Sequence, residues 1–295
     1  MTSVLCAGIA VLDFVFEVEE FPRTAEKYVA HDTSIVGGGC AANAAVAVAR
    51  LGGKAILAAD LGDDPVGRLV LEDLAAEGVD ISGISPVPGA RSSYSSVLVD
   101  HAGERQIVNY RGTPMAPQTD WFDNLGAVAA VLVDTRRSEL ARAGLAFARS
   151  RGVPGIIDGE APIPDGLLDN ATHAAFSRRG LASLYPQSAL EDALREVSIR
   201  YGIWACVTDG EKGVWYTTDD RTAHMPAFNV IVKDTLGAGD IWHGAFSLAL
   251  GEGQTEAEAV RFASAAAALK CTVPGGRAGS PTRPALQGFL ENRRL

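Results

Sequence analysis

The stretch Val232-Lys233-Asp234-Thr235-Leu236-Gly237-Ala238-Gly239-Asp240 decides the reading of this chain. A β-branched run, Asn229 to Val232, precedes it and predicts a strand. An apolar run, Ile241 to Leu250, follows and predicts a helix. Two glycines flank an alanine at the helix start, so the backbone can approach a ligand closely. The first N–H groups of a helix have no partner inside it and carry the positive end of its dipole, which suits a phosphate or a developing oxyanion. Asp240 stands in that first turn. A carboxylate beside an anion hole is badly placed to bind phosphate alone. It is well placed to take a proton from a hydroxyl that attacks a phosphoryl group held there. A lone Gly-Ala-Gly-Asp also fits an ordinary cap after a turn, so the short motif leaves both readings open.

The 295 residues, 47% of them hydrophobic, suffice for one large α/β domain with a small accessory element. No uncharged apolar run reaches membrane-spanning length, and Met1 to Ala7 lacks the basic start of a signal peptide. The expectation is a soluble cytoplasmic protein without a membrane partner. A net charge of −10 argues against nucleic acid. Cys6, Cys40, Cys206 and Cys271 are widely spaced in apolar stretches and read as free thiols; no histidine spacing suggests a metal.

Strand-like and helix-like runs alternate for most of the chain. Examples are Val4 to Ile9, Ala41 to Leu51, Ala55 to Ala59, Pro65 to Ala76 and Val128 to Val133. This predicts an α/β fold, a three-layer α/β/α domain with a central, mainly parallel sheet, over residues 1–295. Two segments, around 13–35 and 91–112, break the rhythm. The first holds the strand-like runs Phe14 to Val18 and Lys27 to Ala30; the second reads as a hairpin around His101-Ala102-Gly103-Glu104. Together they predict a small β-sheet lid. Its exposed face would need covering, so a homodimer through the lid is the expected assembly.

The extended pattern D-T-x-G-A-G-D resembles the signature of the ribokinase-like (PfkB) carbohydrate kinases. A second match is Gly37-Gly38-Gly39-Cys40-Ala41-Ala42-Asn43, followed by a helix ending Arg50-Leu51-Gly52. The resemblance implies ATP-dependent phosphorylation of a sugar hydroxyl. It makes Asp240 the general base and Gly237, Ala238 and Gly239 the anion hole. Asp13, Gly37, Gly38 and Asn43 would meet the sugar. Thr208, Gly210 and Gly213 match T-x-G-x-x-G and would meet ATP phosphates; Ala267 would lie on the adenine side with Gly276 nearby. Asp234 belongs to a monovalent-cation site in some members. Mg²⁺ is implied by the nucleotide. Where the family often has N-x-x-E, this chain reads Phe176-Ser177-Arg178-Arg179-Gly180, so the residues that organise Mg²⁺ are open.

Further stretches resemble one branch, the 6-deoxy-6-sulfofructose kinases. They include Lys27-Tyr28-Val29-Ala30, Ile107-Val108-Asn109-Tyr110, His173-Ala174-Ala175-Phe176-Ser177 and Pro274-Gly275-Gly276-Arg277. There the residues matching Lys27, Asn109 and Arg136 grip the sulfonate, a permanent anion that needs fixed donors. The expected product is the 1-phosphate. A fructokinase, ketohexokinase or 2-keto-3-deoxygluconate kinase is the alternative. A non-catalytic sensor on the same fold is disfavoured by the intact Asp240 motif, and a dinucleotide oxidoreductase by the missing glycine fingerprint.

Overall fold

Short apolar strands alternate with alanine- and leucine-rich helices, and the computed structural model describes residues 1–219 and 221–293. In chain order the elements are β1 (Ser3–Ala7), β2 (Val11–Glu17), β3 (Asp32–Gly38), α1 (Cys40–Arg50), β4 (Lys54–Ala58), α2 (Pro65–Ala76), β5 (Tyr94–Val99), β6 (Arg105–Tyr110), β7 (Ala130–Asp134), α3 (Ser138–Arg151), β8 (Gly155–Gly159), β9 (His173–Ser177), α4 (Arg178–Leu184), α5 (Leu190–Tyr201), β10 (Trp204–Thr208), β11 (Val214–Thr217), β12 (Thr222–Met225), α6 (Ala238–Gly251), α7 (Glu256–Cys271) and α8 (Arg283–Glu291). Local signals set several boundaries. Pro65 opens α2 behind an Asp64 cap, and Thr255 and Glu258 form a capping box on α7.

The large sheet runs β12-β11-β10-β9-β8-β7-β1-β4. Its strands from β10 to β4 are parallel, and β11 and β12 add an antiparallel edge. Alternation along β1 sends Val4 and Cys6 into one core and Leu5 and Ala7 into the other. The first core packs against α1, α6 and α7, the second against α3 and α5. This is the expected three-layer architecture. Strand order reverses at β1, so the carboxyl ends of β1 and its neighbours open a crevice of the kind that binds ligands in such sheets. No helix among the described residues is long and apolar enough to cross a membrane.

The small sheet runs β3-β2-β5-β6 and draws on both predicted insertions. Its edge strands carry the exposed Ile35, Ile107 and Val108, the last 71% exposed; Ile35 and Val108 share one face and Ile107 lies on the other.

Three local expectations differ from the structure. Asn229 to Val232 forms no strand. Ile231 is 84% exposed, and the segment crosses freely from the sheet edge to α6. β-Branching favours a strand only where a neighbour offers a ladder. The first backbone partner comes at Lys233 and Asp234, whose N–H groups both donate to the Cys271 carbonyl at the end of α7. Lys27 to Ala30 is likewise irregular; the strand there is β3. Asp13, read as following the first strand at its carboxyl end, lies inside β2, paired with Val36 and Ser95.

Helix α6 is seated by Phe246, fully buried and stacked on Trp242 (centroids 4.9 Å apart) and Trp204 (5.3 Å). Phe246→Ala should lower unfolding free energy by about 3–5 kcal/mol, the usual cost of deleting a buried ring. Urea unfolding measures it, and a loss under about 1 kcal/mol would mean that α6 does not depend on this stack.

Candidate active site

The first turn of helix α6 forms part of the wall of a large cavity. Gly237 adopts the left-handed conformation (φ 74°) at its N-cap. That turn directs the Ala238 N–H back to the Thr235 carbonyl at 3.1 Å. The amides of Gly237, Gly239 and Asp240 have no backbone acceptor among the described residues. Of the expected Gly-Ala-Gly amides, that of Ala238 is engaged internally, while those of Gly237 and Gly239, with that of Asp240, are left without a backbone acceptor among the described residues.

Asp240 is half-buried, and its Oδ2 accepts a hydrogen bond from Asn43 Nδ2 at 2.7 Å. Asn43 reaches it from α1, one turn after the Gly37-Gly38-Gly39 run. Asp13 completes this group. Its carboxylate lies so close to Gly38 that a Cβ there would sit 2.9 Å from Oδ2. A Cβ on Gly37 would overlap the Arg277 guanidinium. The glycines thus let a buried arginine and a carboxylate close in on the two faces of the end of β3. Asp13, Gly37, Gly38, Asn43, Gly237 and Asp240 are brought together as one site.

Beneath Asp240 lie Asp134 and Asp158, which sequence reasoning missed, and His243, whose place one turn into the helix gives it a supporting role. Asp134 and Asp158 are buried at the carboxyl ends of β7 and β8. His243, one turn along α6, places Nε2 3.6 Å from Asp158 Oδ1 and 3.1 Å from the Ala175 carbonyl. Burial pushes the Asp134 carboxyl up to about 6, against N–H donation from Ile9 and Arg136. Burial also raises Asp158, with His243 opposing. Asp240 is pushed up to about 7 by burial first and then by the Asp158 charge; the Asn43 bond and His243 pull it down. The signal for Asp134 and Asp158 was available, since carboxylates at the ends of parallel strands face the ligand crevice.

The larger cavity, about 810 Å³, is lined by Thr208, Gly210, Gly213, Ala238, Gly239 and Ala267 together with the Trp242 and Phe228 rings. It gathers the residues expected around a nucleotide, with one exception. Gly276 does not line it; its N–H donates to Asp234 Oδ2 at 3.0 Å.

The smaller cavity, about 530 Å³, lies under the small sheet and includes Asn109, Arg111, Arg136 and Arg137. Arg137 is paired with Asp60. Arg136 gives one N–H to the Ala161 carbonyl at 2.8 Å, and Arg111 has no ion-pair partner among the described residues. Asn109 is held by Ser95 Oγ at 3.1 Å. Lys27 is exposed on the β2–β3 connection and lines neither cavity, so the structure does not bring it to Asn109 and Arg136. Arg111 stands in its place, a residue sequence reasoning overlooked.

Two expected metal sites meet different fates. Ser177, at the first position of the missing N-x-x-E, caps α4 by accepting the Gly180 N–H at 2.9 Å. A Cβ on Gly180 would overlap the Gly159 carbonyl oxygen, so close packing of α4 on β8 leaves no room for a glutamate. Oxygen atoms of Asp158 and Asp240 lie within 4.8 Å of each other and of the Cys40 sulfur. Burial, with the Asp240 charge, holds Cys40 well above its ordinary range and so protonated, leaving the two carboxylates as the hard oxygen donors Mg²⁺ prefers. Asp234, expected as a monovalent-cation ligand, instead holds the Lys270 ammonium, 3.0 Å from Oδ2 and 2.8 Å from its carbonyl.

A family profile described as pfkB family carbohydrate kinase matches residues 1–283. The chain is 29% identical to the ribokinase of Bacillus subtilis over 298 residues, covering 98% of this chain and 100% of that one. A crystal structure of a protein provisionally named a ribokinase, from Agrobacterium tumefaciens, is 40% identical and superposes with a TM-score of 0.90 over 98% of this chain and 99% of that one. The Arabidopsis thaliana ribokinase, solved in complex with ribose and ATP, is 25% identical with a TM-score of 0.88 over 98% of each chain.

A carboxylate with a pKa near 7 that must be ionised for turnover gives it a definite pH signature. Because its pKa is raised, Asp240 is protonated below about 7, and kcat/KM should fall as pH drops through that value. Asn43→Ala removes a bond that favours the carboxylate and should move this acid limb to higher pH. A limb that stays in place would separate Asn43 from the titrating group.

Proposed function

The chain belongs to the pfkB family of carbohydrate kinases and is an ATP-dependent sugar kinase, and we propose that Asp240 deprotonates the acceptor hydroxyl at the mouth of α6. The observation that carries this reading is the Asp240 carboxylate, tied to Asn43 at 2.7 Å, beside the unpartnered first-turn amides. The Asn43 bond engages Oδ2 and leaves Oδ1 for the hydroxyl proton. As the acceptor oxygen attacks, charge on the transferred phosphoryl group meets the amides of Gly237, Gly239 and Asp240. ATP lies in the larger cavity, its phosphates toward Thr208, Gly210 and Gly213 and its base toward Ala267. Mg²⁺ neutralises nucleotide phosphates when bound, and Asp158 is the carboxylate available to order its water shell.

We further infer that the acceptor is an anionic sugar, most concretely 6-deoxy-6-sulfofructose, phosphorylated at O1. Support comes from the smaller cavity, where the Arg111 and Arg136 guanidinium groups have no carboxylate partner among the described residues while Asp60 neutralises Arg137. Two guanidinium groups and the Asn109 amide are suitable fixed donors for a sulfonate. Lys27 contributes through lid closure or not at all. A neutral sugar is the second reading, favoured by the ribokinases among the relatives. Exposed Ile35 and Val108, on one face of the small sheet, support a homodimer through the lid, which sedimentation at micromolar concentration should register as twice the monomer mass.

Asp240→Asn should keep fold and ATP binding and lose turnover on the order of 10² or more. Near-native kcat would remove Asp240 from the reaction. Arg136→Ala should raise KM for the sulfonated sugar by roughly 10–100-fold, the equivalent of a charged hydrogen bond of about 1.5–3 kcal/mol, and far less for fructose. Equal losses on both sugars would make Arg136 structural and the acceptor neutral.

A further inference from the structure

Lys270 is a charged residue in an apolar helix, and its side chain is 0% exposed. Burying an ammonium is costly unless its hydrogens find acceptors. Both acceptors here belong to one residue, Asp234, through its carbonyl at 2.8 Å and Oδ2 at 3.0 Å. A backbone carbonyl and a carboxylate of the same residue form a chelate of the type that a hard monovalent cation takes. The ammonium sits where such an ion would sit.

The charge balance points the same way. Asp234 carries one negative charge. Lys270 meets it on one side, and Arg105 of β6 reaches Oδ1 at 3.3 Å on the other. The Leu236 and Gly276 N–H groups donate to the same carboxylate at 2.9 and 3.0 Å. Burial alone would raise this carboxyl; those N–H groups and Lys270 together bring it down to about 2, so it stays ionised. One carboxylate facing two cations and two amides has no net negative charge with which to attract a metal ion. Residues Asp234, Leu236 and Gly276 are those that set the entry to Gly237 and α6, so whatever holds Asp234 also holds the phosphoryl-binding turn.

We propose that the Lys270 ammonium is the resident cation of this turn. It replaces a bound alkali metal, positions the Gly237–Asp240 amides through Asp234, and makes catalysis by this chain independent of K⁺ and Na⁺. Lys270 is a positioning residue: it touches neither cavity's ligand and acts through Asp234. The activity arm of the test rests on the kinase reading above; the stability arm does not.

The experiment compares wild type and Lys270→Ala in KCl, NaCl, NH₄Cl and choline chloride at equal ionic strength, by coupled ADP release with any accepted sugar and by thermal unfolding without substrate. Wild-type rate and midpoint should be the same in all four salts, within about twofold in rate. Lys270→Ala should lose at least tenfold in choline chloride. It should regain rate saturably with K⁺ or NH₄⁺, and its unfolding midpoint should rise with the same ion. A structural lysine would not show rescue by a small cation. Several-fold activation of wild type by K⁺ over choline would overturn the proposal, even if the variant fails to fold. A folded variant that is fully active in choline, or whose loss no cation reverses, would overturn it too. If no sugar is phosphorylated at all, the kinase reading fails while the midpoint comparison still decides the role of Lys270.

Discussion

Asn43 on α1 donates its amide to Asp240 on α6 at 2.7 Å, and that bond joins the two halves of the site. On one side of it are the Gly37-Gly38-Gly39 run, Asp13 and the cavity beneath the small sheet. On the other are the first-turn amides of α6 and the larger cavity. The bond fixes one carboxylate oxygen and leaves the other free, which suits a group that must accept a proton from a substrate. It also opposes a strong push toward protonation. Burial and the neighbouring Asp158 raise the Asp240 carboxyl, and without the Asn43 amide and His243 it would sit higher still. The proposed base is thereby poised close to neutrality, where a general base is both ionised and basic enough to work.

The same economy of parts recurs at Asp234. A single residue ends the crossing from the sheet edge, accepts N–H groups from Leu236 and Gly276, and meets cations from α7 and from the small sheet. Arg105 therefore links the small sheet to the turn that opens α6. A movement of that sheet over the smaller cavity would be felt at the phosphoryl-binding amides through one ion pair, which gives lid closure a physical route to the chemistry.

Much of the fold was legible because its signals are local. The helix Pro65–Ala76 follows from proline at its start and an aspartate cap, and the alternation of elements gives a parallel sheet with helices on both faces. The failures have physical causes. Asn229 to Val232 has strand chemistry but no ladder to join, so its side chains face water. Val214 to Thr217, which forms β11, is a four-residue run behind the Gly213 turn, too short to stand out as a strand. The site shows the same division. Asp240, Asn43 and the glycines sit in contiguous motifs. Lys270, Arg277 and His243 take their meaning from partners distant in sequence, and no spacing reveals them. Lys27 and Arg111 exchange places for a related reason, because which basic residue faces the smaller cavity depends on how the small sheet is turned.

The most direct test of the account is the titration of the Asp240 carboxyl itself. A ¹³C-carboxyl NMR titration of aspartate-labelled protein, with Asp240→Asn to assign the resonance, reads it without substrate or nucleotide. The account predicts a midpoint of about 7. A midpoint close to the ordinary aspartate value of about 4 would contradict it, because Asp240 would then be a weak, solvent-like carboxylate and not a base held ready beside an anion hole.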